Sequence, residues 1–171
     1  MKKSGNNKVK NWSQVILMSA ATYVAIYLVL SVLGKYFPNV MSGYTSLMDN
    51  YGLENGWRNW LYVILVAPAG EEVIFRGFIF KVCRSKMLFL WANLIQAALF
   101  GIVHVTLTTT FSGWIQVIYT FVLGLILGYV LENYNKLEYP IVFHVLFNFW
   151  NIPMQWAASI ILASLGCALA L

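Results

Sequence analysis

Charge is what this sequence has least of. Only 10% of its 171 residues are Asp, Glu, Lys or Arg, against about 25% in a soluble domain. Hydrophobic residues make up 60% and the mean hydropathy is +0.71. That balance excludes an ordinary soluble domain and fits a polytopic membrane protein. Cysteine is nearly absent: Cys83 and Cys167 lie in apolar segments and form no CxxC pair, so neither a disulfide framework nor a cysteine metal site is expected. No soluble domain, internal repeat or low-complexity linker interrupts the chain. The net charge of +5 is gathered at one end, where Lys2, Lys3, Lys8 and Lys10 crowd the first ten residues. This basic tail reads as an orientation signal rather than a nucleic-acid surface, and no nucleic-acid partner is expected.

What is present is a series of long apolar runs. The first covers roughly residues 12–33; it is too long for a signal-peptide core, has no clear small-x-small cleavage site, and reads as a retained transmembrane helix. A loop with Pro38, Asp49 and Glu54 follows to about residue 56. The second run covers about 57–82 and the third about 87–105, where "TLTTTFSG" breaks it. The fourth, about 114–131, carries Gly124 and Gly128 in GxxxG spacing, which lets helices approach closely. A short polar loop, "ENYNKLE", leads to Pro140, tolerated in a first helical turn, so a fifth helix is expected there. Pro153 breaks or kinks it, and an apolar tail runs to Leu171. The expected fold is all-α: a polytopic bundle of five or six hydrophobic helices in the lipid bilayer around a polar cavity. Residues 1–14 form a basic cytoplasmic tail and 15–171 the transmembrane domain. The N-terminal lysines and the Lys81, Arg84, Lys86 cluster are two spans apart, so both can be cytoplasmic in a bacterial plasma membrane.

Against this background "AGEEVIFRGFIF", residues 69–80, is anomalous. Glu72 and Arg76 are spaced i, i+4 with the glutamate on the N-terminal side, the favourable order for an ion pair. Glu71 is turned about 100° away and has no local partner. Ionisable groups inside a membrane are costly and mark functional sites. The chain has two histidines, His104 and His144, and both lie in apolar segments. Asn93, Ala97, Phe100 and His104 share a helical face, as do His144 and Asn148. A carboxylate with imidazoles and an amide supplies a base and hydrogen-bonding groups for hydrolysis. One demand follows from the 1.5 Å helical rise, about which the spacing is unforgiving. Counted from the cytoplasmic ends, Glu71 lies mid-membrane, His104 further out and His144 only about a turn beyond its loop. Tilt, a kink, a dipping "ENYNKLE" loop or the opposite orientation of one segment would bring them to one depth.

"EEVIFR", "FGIVH" and "HVLFN" fit EExxxR, FxxxH and HxxxN, in this order and on separate segments, within the wider context "APAGEEVIFRG". Together they resemble the CAAX-processing and bacteriocin-processing (Abi) family of intramembrane peptidases, over about residues 57–151, the expected peptidase core. The resemblance implies an endopeptidase acting on a peptide or protein in or near the membrane. It implies Glu71 as general base, His104 as the residue that holds or helps activate the attacking water, and His144 and Asn148 as donors to the oxyanion. Glu72 and Arg76 would keep the Glu71 helix in register. No cofactor is expected. The alternative is a metallopeptidase with zinc on Glu71, His104 and His144, although no HExxH supplies a compact ligand motif. Two readings from other classes stand beside it: a non-catalytic bacteriocin self-immunity protein that acts by binding, and a proton-coupled carrier using Glu71, which the lack of repeats disfavours.

Overall fold

The first proline of the chain, Pro38, sets where the first helix stops. In the computed structural model, which describes residues 3–38, 56–105 and 111–150, helix α1 runs from Lys3–Tyr36. It starts inside the basic segment and ends just before Phe37-Pro38, as expected for residues preceding a proline. α2 covers residues 57–84 as one run of turns that alternate in register. It is α-helical at Trp57–Leu61, Ala67–Glu72 and Lys81–Arg84, and π-helical at Tyr62–Val66 and Val73–Phe80. α3 is Phe89–Val103, α4 is Phe111–Tyr134, and α5 covers 138–150. Among the described residues these five helices are the only regular structure, with no strand. Most of the expected loop before Gly56, most of "TLTTTFSG" and the tail after Trp150 lie outside the described residues.

The packing is inside-out by soluble standards. Ser19, Glu72, Arg76, Asn93, Gln96, Gln116, Thr120 and His144 are buried, whereas Val73, Phe78, Leu99, Ile102, Ile118 and Tyr129 are exposed. An apolar exterior around a polar interior is stable in lipid, where each polar group must find its partner inside the protein. α1 and α4 each contain a span long and apolar enough to cross a bilayer, Val9–Tyr36 and Gly113–Tyr134. The protein is an all-α membrane helical bundle.

α3 packs most extensively on α4, and the two expected glycines are where they meet. A Cβ on Gly124 would lie 3.0 Å from Ala97 Cα, and one on Gly128 would land on Asn93 Oδ1. The GxxxG spacing therefore serves close approach of these helices. The main apolar core, including Phe75, Phe100, Leu123, Leu127 and Phe143, joins α2, α3, α4 and α5. α1 is held from outside by Trp12 against Tyr139, at 4.4 Å between ring centres, and by Tyr23 against Phe147, at 5.8 Å.

The loop between α4 and α5 answers the demand for equal depth. Asn135, at φ 52°, takes the left-handed conformation that asparagine tolerates and turns the chain back. Leu137 then sits against Gly77: a Cβ there would lie 3.3 Å from the leucine side chain. Gly77 is well inside α2, whose basic end lies further along at Arg84. Glu71 is six residues from Gly77 and His144 seven from Leu137, about 9 and 10.5 Å at α-helical rise. The loop dips, and the two side chains arrive level.

Gly124→Ala is expected to push α3 from α4 and to cost about 1–3 kcal/mol of stability, the usual range for overpacking. Gly70→Ala, where an added Cβ meets nothing within 4 Å, is the control. Thermal unfolding of the purified protein in detergent should separate the two.

Candidate active site

Glu72 and Arg76 are both wholly buried and form an ion pair, Nη1 to Oε1 at 2.9 Å. Arg76 is held on three sides. Its Nη2 donates to the Gly124 carbonyl at 3.2 Å, and its guanidinium carbon lies 4.3 Å from the centre of the Phe100 ring. A planar cation over an aromatic face is a favourable arrangement that strengthens away from water. The same Glu72 oxygen accepts from His144 Nδ1 at 2.9 Å. One carboxylate oxygen thus joins α2 to α5.

Glu71 is placed differently. It remains about 29% exposed, and its Oε2 lies 3.9 Å from Nε2 of both His104 and His144. Antiparallel packing of α2 and α3 accounts for His104. Phe75 and Phe100 meet edge to face at 5.1 Å, so the residues one turn away on each helix, Glu71 and His104, also oppose. His104 Nδ1 lies 2.7 Å from the Phe100 carbonyl. A carbonyl only accepts, so this nitrogen carries the proton and Nε2 turns its lone pair to Glu71. By the same reasoning His144, donating from Nδ1 to the Glu72 carboxylate, presents a bare Nε2 when neutral.

Asn148, one turn beyond His144, donates from Nδ2 to the Val63 carbonyl at 3.1 Å. Pro68 has no N–H, so a carbonyl four or five residues earlier loses its helical donor. Val63 lies five residues before Pro68, in the first π-helical stretch, and the asparagine supplies a donor there. The structure therefore gathers Glu71, Glu72, Arg76, His104 and His144, and ties Asn148 to the α2 backbone at Val63, eight residues before Glu71. Reasoning from sequence overlooked Gln96. It is wholly buried and donates to Asn93 Oδ1 at 2.7 Å and to the Gly124 carbonyl at 2.8 Å, the same oxygen Arg76 uses. Its signal was an intramembrane amide one helical turn from Asn93.

Glu71 Oε2, His104 Nε2 and His144 Nε2 thus face one another, each imidazole nitrogen offering a lone pair when neutral and an N–H when protonated. A water making hydrogen bonds of about 2.8 Å reaches across 3.9 Å. Zinc held tetrahedrally by such ligands sets them about 3.4 Å apart. The donor chemistry fits zinc, and the spacing would have to close by about half an ångström. Among the described residues no three His, Cys, Asp or Glu side chains are already drawn together as ligands.

The two glutamates should separate in a stability measurement. Glu72→Gln leaves Arg76 without its counter-charge in the interior, and breaking such a pair costs about 3–5 kcal/mol. Glu71→Gln, part-exposed and unpaired with Arg76, should keep folded yield and melting temperature near wild type. Size-exclusion profiles and thermal unfolding of both variants test the difference.

The family profile described as "Type II CAAX prenyl endopeptidase Rce1-like" matches residues 53–150, more than half of the chain and every residue of the cluster. A protein of Bacillus subtilis (strain 168) described as "Putative membrane peptidase YdiL" is 32% identical over 91 residues, which is 53% of this chain and 34% of the relative. The chain spans about a third of that relative's length. No solved structure matches it. With three histidine and glutamate groups meeting inside a helical membrane bundle, and the profile covering all of them, the chain belongs to the Rce1-like type II CAAX prenyl endopeptidase family.

Proposed function

We propose that the protein is an intramembrane endopeptidase that hydrolyses a peptide bond of a membrane-associated peptide or protein. The observation that carries this reading is the placement of Glu71 Oε2 3.9 Å from Nε2 of both histidines, whose other nitrogens are already committed. A water between these atoms would lose its proton to Glu71 as its oxygen attacks the scissile carbonyl. The carbonyl electrons would move onto oxygen. Protonated imidazole at His144, with the Asn148 amide, would stabilise that oxyanion. Collapse would break the C–N bond, and the proton held by Glu71 would pass to the leaving amine. General base catalysis of this kind contributes roughly 10²–10⁴-fold. Zinc, if bound, would be held by Glu71, His104 and His144 and would supply a more acidic water. The basic clusters support a cytoplasmic N-terminus in a bacterial plasma membrane. Leader peptides, pheromone precursors or signal-peptide remnants are the substrates proposed for a bacterial chain of this kind.

Glu71→Gln is expected to abolish cleavage, because the amide keeps the volume and removes the base. Asn148→Ala should lower kcat by about 10²-fold with substrate capture retained. Mass spectrometry of candidate peptides incubated with purified wild type and each variant reads both effects. Full turnover by Glu71→Gln would remove it as the base. Intact peptide with wild type, alongside firm binding in a pull-down, would favour a protein that acts by binding.

Dependence on metal is open to direct measurement. Activity is expected to survive prolonged chelation, with well under one zinc per chain by elemental analysis of active enzyme. Stoichiometric zinc lost and regained together with activity would move Glu71, His104 and His144 to ligand roles.

A further inference from the structure

We propose that Gln96 is a positioning residue, fixing His144 from the far side of the bundle through the Gly124 carbonyl, Arg76 and Glu72. It touches none of the reacting groups, and its part in hydrolysis rests on the peptidase reading above. The chain of contacts is continuous and buried. Asn93 Nδ2 donates to the Leu125 carbonyl at 3.0 Å, which seats the asparagine on α4. Gln96 Nε2 donates to Asn93 Oδ1 at 2.7 Å and to the Gly124 carbonyl at 2.8 Å. Arg76 Nη2 reaches that same carbonyl at 3.2 Å, while its Nη1 holds Glu72 Oε1 at 2.9 Å. Glu72 Oε1 in turn accepts from His144 Nδ1 at 2.9 Å.

Gly124 makes this possible. A side chain there would strike Ala97, so only glycine lets α3 bring an amide to the oxygen that Arg76 uses. Three buried polar atoms of this network have no hydrogen-bond partner within the protein: Arg76 Nε, Glu72 Oε2 and Gln96 Oε1. Where such a network is only partly satisfied, each remaining bond bears more on the geometry. Removing the Gln96 amide frees the Gly124 carbonyl to draw Arg76 away from Glu72, and the Glu72 oxygen then holds His144 less firmly.

The test needs no substrate, because the chain contains only two histidines. Selective ¹⁵N-histidine labelling of the full chain in lipid nanodiscs gives two ring spin systems, and His144→Gln identifies the His144 signals by their loss. In wild type the His144 Nδ1–H bonded to Glu72 should be shifted downfield and protected from exchange. Gln96→Met should speed that exchange by about tenfold or more, the lower end of the effect that losing an outer partner has at a metal-ligating histidine, with the resonance moving upfield. Leu131→Ala opens the separate apolar cluster with Phe80 and Ala92. It should lower the melting temperature and leave the His144 signal in place. If Gln96→Met fails to fold, Asn93→Ala, which removes one support of Gln96, should move the same signal in the same direction by less. An unchanged His144 signal in folded Gln96→Met or Asn93→Ala, or an equal change in Leu131→Ala, would overturn the proposal. In the cleavage assay Gln96→Met should lower kcat about tenfold with KM within about twofold. Absence of cleavage by wild type would instead count against the peptidase reading, and the His144 resonance still decides the role of Gln96.

Discussion

A carboxylate in the middle of a lipid-embedded bundle must be neutralised where it stands, and the rest of this structure is arranged around how Glu72 achieves that. Arg76 lies on the next turn and pairs with it at 2.9 Å, but an arginine brought inside carries five donors of its own to be placed. Gly124, Phe100 and the dipping α4–α5 loop follow from that need. The glycine exposes a carbonyl to the guanidinium, the phenylalanine covers its face, and the loop delivers His144 to the same glutamate oxygen that Arg76 holds. A buried ion pair is weak evidence of stability, since its desolvation offsets much of its attraction. Its value here is geometric: Glu72, Arg76 and His144 define one relative position of α2, α4 and α5.

Two glutamates adjacent in sequence thus take unlike parts because a helix turns them about 100° apart. Glu72 points into the bundle and is consumed by its partners. Glu71 keeps part of its surface open and meets two imidazole nitrogens, neither within direct hydrogen-bond distance. A gap of that size suits a small polar molecule bridging the three groups. The second glutamate thus holds the framework while the first keeps an open side, a division that a single carboxylate could not perform.

Much of this was legible in the sequence for a physical reason. In a membrane chain every charged or strongly polar side chain carries an insertion cost, so the few present stand out against the apolar background. Glu71, Glu72, Arg76, His104 and His144 could each be singled out in this way, and the i, i+4 spacing is enough to pair Glu72 with Arg76. The GxxxG in α4 was equally readable, although spacing alone could not say that α3 was its partner. The level meeting of Glu71 and His144 was not legible. It depends on Leu137 reaching Gly77, a contact between a loop and a helix sixty residues apart, and straight helices counted from the cytoplasmic ends place the two at different depths.

The π-helical turns of α2 were the least visible feature, and they bear on why this helix can host the site. Backbone bonds in such turns reach five residues back, so the helix is wider and its carbonyls are less evenly satisfied; such turns recur at functional sites. In hydrocarbon an unsatisfied carbonyl is costly, and a distorted helix is tolerated only where neighbours repair it. Pro68 removes a donor from the turn before the glutamates, and Asn148 of α5 gives one back at Val63. The repair comes from the same face of α5 that presents His144 one turn earlier. Distortion of α2 and the docking of α5 are therefore a single event: the asparagine that satisfies the backbone also fixes the rotation of α5, and that rotation is what aims the imidazole at Glu72 and Glu71.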